Sequence, residues 1–321
     1  MAARKARFRR PVEMALVKAT NAHWADTARG TRLTFARSPI IRKTDKVFTM
    51  GSCFAREISY VLRDTGFRLF PRYSEIDFDK ATQKPFKIKR RNHMNHYNTF
   101  TIRYEFEHAF ANTHYGIEDF IKLPEPLQLD RQVWQDPYRR QIYAVTDAAL
   151  LDLSRKIGQC IRHGVLESDV YVITLGLTEV WRNNANGRVF NQLPFGADDP
   201  AMRDNFTFVQ SGYQENYENM RWVCAQILER FPERKIIVTV SPVALRRTFS
   251  GSDVITANTE SKSILRAVAG ALHREFPNVV YWPSYEIAMA QDVYEDDGRH
   301  VTPAGVKQIV DQFVAVHLDH A

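Results

Sequence analysis

The chain has 321 residues, 44% hydrophobic and 25% charged, ordinary proportions for a globular protein and enough for a full core in one large α/β domain or two small ones. Its formal charge of +7 is local: five of the 44 basic residues fall in the first ten positions and five more (Lys84, Lys87, Lys89, Arg90, Arg91) in a run without acids. The remaining 34 face 37 acidic residues, which weighs against a nucleic-acid-binding surface spread over the fold.

No apolar run reaches the roughly 18 residues of a membrane span, and the basic start is not followed by the apolar core of a signal peptide. Cys53, Cys160 and Cys224 are odd in number and widely spaced, so no disulfide framework is expected and a reducing, cytoplasmic compartment fits. Cys160 and Cys224 read as core fillers.

In chain order, 1–45 reads as an N-terminal arm and 46–321 as the α/β domain. Residues 46–50 predict a first strand, and 54–65 a helix with Ile58, Val61 and Leu62 on one face and Gly66 as its stop. A short strand at 67–71 precedes an irregular, aromatic-rich insertion over about 72–146, too long for a plain loop and expected to cover the site end of the sheet. A helix over 147–165 leads into the buried strand 169–176. A polar excursion at 182–212, a helix at 213–231, a strand at 234–242, a helix at 258–275, a strand at 278–282 and a closing helix at 302–318 complete the chain. Strands alternating with helices imply a parallel sheet with helices on both faces, and in such sheets a site lies at the carboxyl ends of the strands.

Gly51, Gly176 and Pro242 sit at such ends. Gly51 permits a sharp turn, and Ser52 and Cys53 after it fall at a helix N-terminus, where unpaired N–H groups and the macrodipole favour negative charge. A thiolate or alkoxide would be stabilised there. Asp297 lies three residues before His300, a spacing that lets a carboxylate hold one imidazole nitrogen and leave the other facing outward. The plain alternative is a charged turn with Thr302 as cap and Pro303 at the first helical position.

Gly51-Ser52-Cys53-Phe54-Ala55 resembles the signature of the GSCFA-domain family, and Tyr97-Asn98-Thr99-Phe100, Thr174 to Trp181 and Ser241-Pro242-Val243 resemble its other blocks. That family is similar to the SGNH, or GDSL-like, hydrolases, so the resemblance implies a three-layer flavodoxin-like fold and an acyl-ester hydrolase or O-acyltransferase acting on a carbohydrate or surface-polysaccharide substrate. A gap-free alignment puts Cys53 at the nucleophile position, with Ser52 as the alternative, and Asp297 and His300 in the final block. Gly176-Leu177-Thr178-Glu179 stands where those hydrolases carry Gly-x-Asn-Asp. Thr178 replaces the oxyanion-binding asparagine, Asn98 is another donor and the Cys53 N–H a third. Glu179 either fixes the loop or touches substrate.

No nucleotide-binding glycine motif is present, so no cofactor is expected. His93 and His96 have ligand-like spacing, but nothing completes a metal site, and both are expected to face solvent with His108 and His114. Trp181 and Trp282 either line a sugar pocket or pack in the core, and the 84–91 run either binds an anion or is a solvated loop. The partners implied are a small-molecule or glycan acyl ester and an acyl-CoA donor. The competing reading is a non-catalytic module binding an anionic or CoA-like acyl-carrier ligand.

Overall fold

The computed structural model describes residues 33–78, 94–123, 132–194, 202 and 204–319. The 84–91 basic run, His93 and most of the N-terminal arm lie outside these residues. In chain order the elements are β1 (Ile41–Arg42), β2 (Lys46–Gly51), α1 (Cys53–Asp64), β3 (Arg68–Phe70), α2 (Thr99–Ala111), β4 (Ile121–Lys122), β5 (Trp134–Asp136), β6 (Ile142–Ala144), α3 (Asp147–Glu167), β7 (Val170–Leu175), β8 (Glu179–Asn183), β9 (Val189–Phe190), β10 (Phe206–Gln210), α4 (Tyr213–Arg230), β11 (Lys235–Val240), α5 (Val254–Glu275), β12 (Val279–Trp282), α6 (Ser284–Gln291), α7 (Pro303–His317) and β13 (Leu318–Asp319).

Five strands form the central sheet in the order β12-β11-β7-β2-β3, and every pairing in it is parallel. Alternation along the strands sends side chains into two cores. Val47, Val170, Val172 and Ile237 pack with α1, α6 and α7, while Phe48, Met50, Tyr171, Ile173, Ile236 and Val238 pack with α2, α3, α4 and α5. The strands read as continuous apolar runs because both faces are covered. In sheet order the chain steps from β2 outward to β3 and then back across β2 to β7. The sense of winding therefore reverses between β2 and β7, and a crevice is expected at their carboxyl ends.

The expected helices and core strands are present, with boundaries shifted by one to four residues. The helix expected to begin at 258 begins at Val254, because Asp253 caps it through bonds from the Ile255 and Thr256 N–H groups. Thr302 caps α7, with Pro303 in the first turn.

Among the described residues, the insertion read as irregular contains α2 and the antiparallel sheet β4-β5-β6, and the polar excursion contains β9, β10 and the end of β8, which pair as the antiparallel sheet β10-β8-β9. α2 is rich in β-branched and aromatic residues and shows no clean polar face, since Thr99, Thr101, Ile102, Glu105, Phe106 and Ala109 are all buried. Of the arm, Leu33, Phe35 and Ile40 pack against the α7 side of the sheet, and β1 pairs in parallel with β13.

Candidate active site

Gly51 ends β2 with φ +135°, and a Cβ there would lie 2.1 Å from the Thr174 carbonyl oxygen. The turn into α1 therefore needs the close approach of two backbones that only glycine permits. Ser52 is the N-cap: its Oγ accepts from the Phe54 N–H at 3.3 Å, its own N–H donates to Thr174 O at 3.2 Å, and it is 3% exposed. Cys53 is the first residue of α1 and is half-buried. Its N–H belongs to the first helical turn, which has no acceptor within the helix.

The carboxyl end of β7 faces this turn. A Cβ on Gly176 would lie 2.5 Å from Tyr97 O, because residues 95–98 cross the strand ends between the two turns. The His96 N–H donates to Gly51 O at 2.7 Å and the Leu177 N–H to Tyr97 O at 2.9 Å. This crossing segment is braced from within. His96 is fully buried and its Nε2 sits 3.1 Å from Glu105 Oε1, which corrects the expectation of a solvent-facing histidine. Arg139 donates to both Glu105 oxygens at 2.7 and 2.9 Å and to Ser154, and Asp136 lies 3.4 Å from Arg139 Nη1. The guanidinium holds the Glu105 carboxyl well below its usual range against the cost of burial, while burial pushes Asp136 up to about 6.

His300 is presented by a hairpin between β12 and α7. Tyr294 and Val301 form an antiparallel bridge, and the Glu295 N–H donates to His300 O at 2.7 Å. Asp297 Oδ1 accepts from the His300 and Arg299 N–H groups at 2.8 and 2.9 Å, and Oδ2 lies 2.6 Å from His300 Nδ1. The His300 N–H and ring nitrogen hold the Asp297 carboxyl well below the usual carboxylate range. The pair is open to water, at 43% and 45% side-chain exposure. Nδ1–H facing Asp297 leaves Nε2 as the lone-pair nitrogen. Arg299 Nη1 is against that ring, 3.1 Å from Nε2 and 3.4 Å from Nδ1. Glu295, Asp297 and His300 could together hold a cation, their ligand atoms all lying within 4.8 Å of one another.

Ser52, Cys53, Gly176, Glu179 and His300 all line one cavity of about 680 Å³, placed at the β2/β7 crevice that the strand order predicts. Asn98 and Thr178 do not line it. Asn98 caps α2, accepting from the Thr101 N–H at 3.0 Å and donating to Phe190 O at 2.8 Å. Thr178 is fully buried and its hydroxyl accepts from Gln210 at 2.8 Å. Glu179 Oε1 accepts from the Thr248 hydroxyl and Oε2 from the Phe249 N–H, so it ties down the loop after β11. Trp181 lines the cavity with Phe249, whereas Trp282 is buried in the opposite core. Cys224 is buried, its thiol pushed up to about 12, and Cys160 is half-buried with its thiol pushed up to about 11.

Cys53 and His300 share the cavity without a hydrogen bond between them: among the described residues Cys53 Sγ makes none. Burial raises the thiol pKa, opposed by Arg56, Arg140, Arg299 and Lys262. Lys262 escaped sequence reasoning. It is 2% exposed, donates to Gly176 O at 2.7 Å and Val243 O at 2.9 Å, and burial pulls its ammonium down to about 7. Its signal was a lysine in register with Leu265, Ala269 and Leu272 on the apolar stripe of a helix. Arg140 and Arg299 had no such signal.

These features belong to an α/β protein whose cavity gathers a cysteine and an aspartate-held histidine at the switch point of a parallel sheet. The chain belongs to the GSCFA family, whose sequence pattern matches residues 46–313. No curated protein matches it. Among solved structures it is similar to one from Streptococcus pneumonia provisionally titled a platelet activating factor, at 15% identity and a TM-score of 0.27, covering 46% of this chain and 58% of that one. A second structure is 17% identical with a TM-score of 0.26, over 46% of this chain and 63% of the other. The chain thus spans about three-fifths of the solved structures it matches.

Proposed function

We propose that the protein is an SGNH-like acyl-ester hydrolase or O-acyltransferase, acting in the cytoplasm on a carbohydrate or surface-polysaccharide ester, with Cys53 as nucleophile. The observation that carries this reading is the shared cavity at the β2/β7 crevice, lined by Cys53 at the head of α1 and by His300 held by Asp297. Cys53 is favoured over Ser52 because the Ser52 hydroxyl already serves as a buried helix cap.

In the first step Arg299 shifts from the ring and His300 Nε2 takes the Cys53 proton as sulfur attacks the ester carbonyl carbon. The carbonyl π electrons move to oxygen, facing the Cys53 N–H. Collapse expels the alcohol oxygen, which takes the proton from imidazolium, and leaves a thioester on Cys53. Water or a sugar hydroxyl then loses its proton to His300, attacks the thioester carbonyl and releases the thiolate, which recovers the proton. Hydrolase and transferase differ only in this acceptor, and an acyl-CoA would enter as the donor in the first step. Asp297 fixes the tautomer and offsets the imidazolium charge.

The test is turnover of acetyl ester and thioester probes by wild type, Cys53→Ala, Ser52→Ala and His300→Ala. Loss in Cys53→Ala and His300→Ala with retention in Ser52→Ala is expected. Equal activity in all four, or none in the wild type on a broad ester panel, would sink the assignment. The lack of an Sγ-to-imidazole hydrogen bond, the raised thiol and Arg299 against His300 favour a second reading, a binding module for an anionic or CoA-like acyl-carrier ligand; it gains if ligands bind and nothing turns over.

A further inference from the structure

The charge of the cavity wall has no counterpart in the proposed chemistry. Five arginines line it, Arg56, Arg140, Arg246, Arg247 and Arg299, against three glutamates, Glu57, Glu179 and Glu295. Two of those carboxylates are engaged: Glu57 accepts from Arg56 Nε at 3.0 Å, and Glu179 accepts from the Phe249 N–H at 3.2 Å. Glu295 rides on the exposed His300 hairpin. Arg299 is spent on Ala244 O at 2.9 Å and on the imidazole. Arg140, Arg246 and Arg247 form no ion pair among the described residues.

Arg140 is half-buried, with its guanidinium 5.7 Å from the centre of the Tyr97 ring, and its charge reaches the Cys53 thiol. A guanidinium partly withdrawn from water without an anion sits at a cost that a ligand's oxyanion would remove. The cavity also has an aromatic wall, Trp181 edge-on to Phe249 with ring centroids 5.0 Å apart, and the Arg247 guanidinium lies 5.3 Å from the centre of the Phe249 ring. A ring-shaped ligand can lie against it.

We propose that the cavity takes a substrate bearing a fixed negative charge, an ester of an acidic saccharide, and that Arg140, with Arg246 and Arg247 on the rim, receives its carboxylate, sulfate or phosphate. The inference rests on the acyl-transfer reading for the ester but not for the charge. A planar fork of donors matches all three oxyanions, so the shared chemistry is the oxyanion itself.

The experiment compares an O-acetyl methyl glucoside with the O-acetyl methyl glucuronide of the same skeleton, and with the corresponding 6-sulfate and 6-phosphate. Catalytic efficiency is measured for wild type, Arg140→Gln and the double variant Arg246→Gln/Arg247→Gln. A charge-assisted, forked contact predicts that one or more anionic substrates outperform the glucoside by about tenfold or more. Arg140→Gln should erase most of that ratio, since any weaker activation of the Cys53 thiol falls on neutral and charged substrates alike and cancels in it, and Arg140→Lys should restore part of it. The arm with the largest ratio identifies the anion.

Calorimetric titration of Cys53→Ala with methyl glucuronide and methyl glucoside reads the charge preference without turnover. Anion-selective binding by Cys53→Ala in a protein that hydrolyses nothing would sink the acyl-transfer reading and leave this inference standing. Equal efficiency and equal binding for neutral and charged ligands overturns it. So does an anion preference that survives both Arg140→Gln and the double variant. Far-ultraviolet circular dichroism verifies that Arg140→Gln is folded, and if it is not, the double variant and the titration carry the decision.

Discussion

Replacing Lys262 by methionine separates the two things this buried amine does. Burial pulls its ammonium from 10.5 down to about 7, and its Nζ donates to Gly176 O and Val243 O. A neutral amine still has two N–H donors, so both carbonyls stay satisfied when the proton leaves. Between pH 7 and 10.5 the folded lysine is neutral while the unfolded one remains charged. The unfolded state then binds more protons, and the lysine's contribution to stability rises with pH by ~1.4 kcal/mol per unit. Below pH 7 both states are protonated, the slope vanishes and the full desolvation penalty of about 5 kcal/mol is present.

Lys262→Met removes that penalty but strands two carbonyls at roughly 1–3 kcal/mol each. The two effects nearly cancel at pH 6. At pH 9 the variant should be worse relative to wild type by roughly 2–3 kcal/mol more than at pH 6. Urea unfolding of both proteins in matched buffers, followed by tryptophan fluorescence, reads the difference with shared titrations cancelled. A stability gap that is flat between pH 6 and 9, or that shrinks as pH rises, refutes the reasoning.

Gly51→Ala forces a Cβ against Thr174 O at a φ of +135° and should cost about 3–5 kcal/mol from strain plus displaced backbone. Gly298→Ala, at φ +63° with open space around it, should cost only about 1 kcal/mol; equal losses in thermal unfolding would show that close approach is not the cause. Glu105→Gln breaks a buried forked pair with Arg139 and should lose about 3–5 kcal/mol, whereas a loss under 1 kcal/mol in urea titration would deny the brace its role. Asp297→Asn should lower kcat on an accepted ester about 10²–10⁴-fold with little change in Tm, since both partners are half-exposed; an unchanged kcat contradicts the mechanism. Ser52→Ala should cost only the cap, about 1 kcal/mol, read as a shift in urea midpoint.

Much of the sheet was legible because β2, β7 and β11 are apolar on both faces, a run that polar punctuation separates cleanly from the helices. Thr302 and Pro303 were legible for a local reason, since cap and first-turn chemistry acts over three residues. α2 was not, because its burial on several sides removes the polar stripe that marks a surface helix. β8, β9 and β10 were hidden because they are short antiparallel strands set among polar, turn-forming residues such as Asn183 to Gly187, which read as loop sequence. At the site, the turn at 51–53 and the Asp297 to His300 spacing are local patterns and could be read. The commitments of Asn98 and Thr178 could not, since each depends on a partner distant in sequence, Phe190 for one and Gln210 for the other. Arg140 reaches the cavity, and Lys262 the backbone carbonyls of its lining residues Gly176 and Val243, only through tertiary packing.

The arrangement that results is fixed more tightly on one side than on the other. The turn at 51–53 is pinned to β7 through the Ser52 N–H and is bridged to the Gly176 turn by residues 96–97, whose own position is locked by Glu105 and Arg139. Beneath the Gly176 turn, Lys262 ties its carbonyl to that of Val243. The histidine instead hangs on an exposed hairpin held to this frame by Arg299 on Ala244 and by Tyr294 on Pro242. Interactions open to water are individually weak, whereas a packed charged pair resists displacement. Under the proposed chemistry, closure of a Cys53-to-His300 contact would fall to the hairpin, with Arg299 as its latch. Arg299→Met should free the imidazole nitrogen and loosen the hairpin together. Under the proposed chemistry, Cys53 labelling by iodoacetamide would then become more dependent on His300. Labelling of Arg299→Met that proceeds at the same rate with and without His300 would place the mobile element elsewhere.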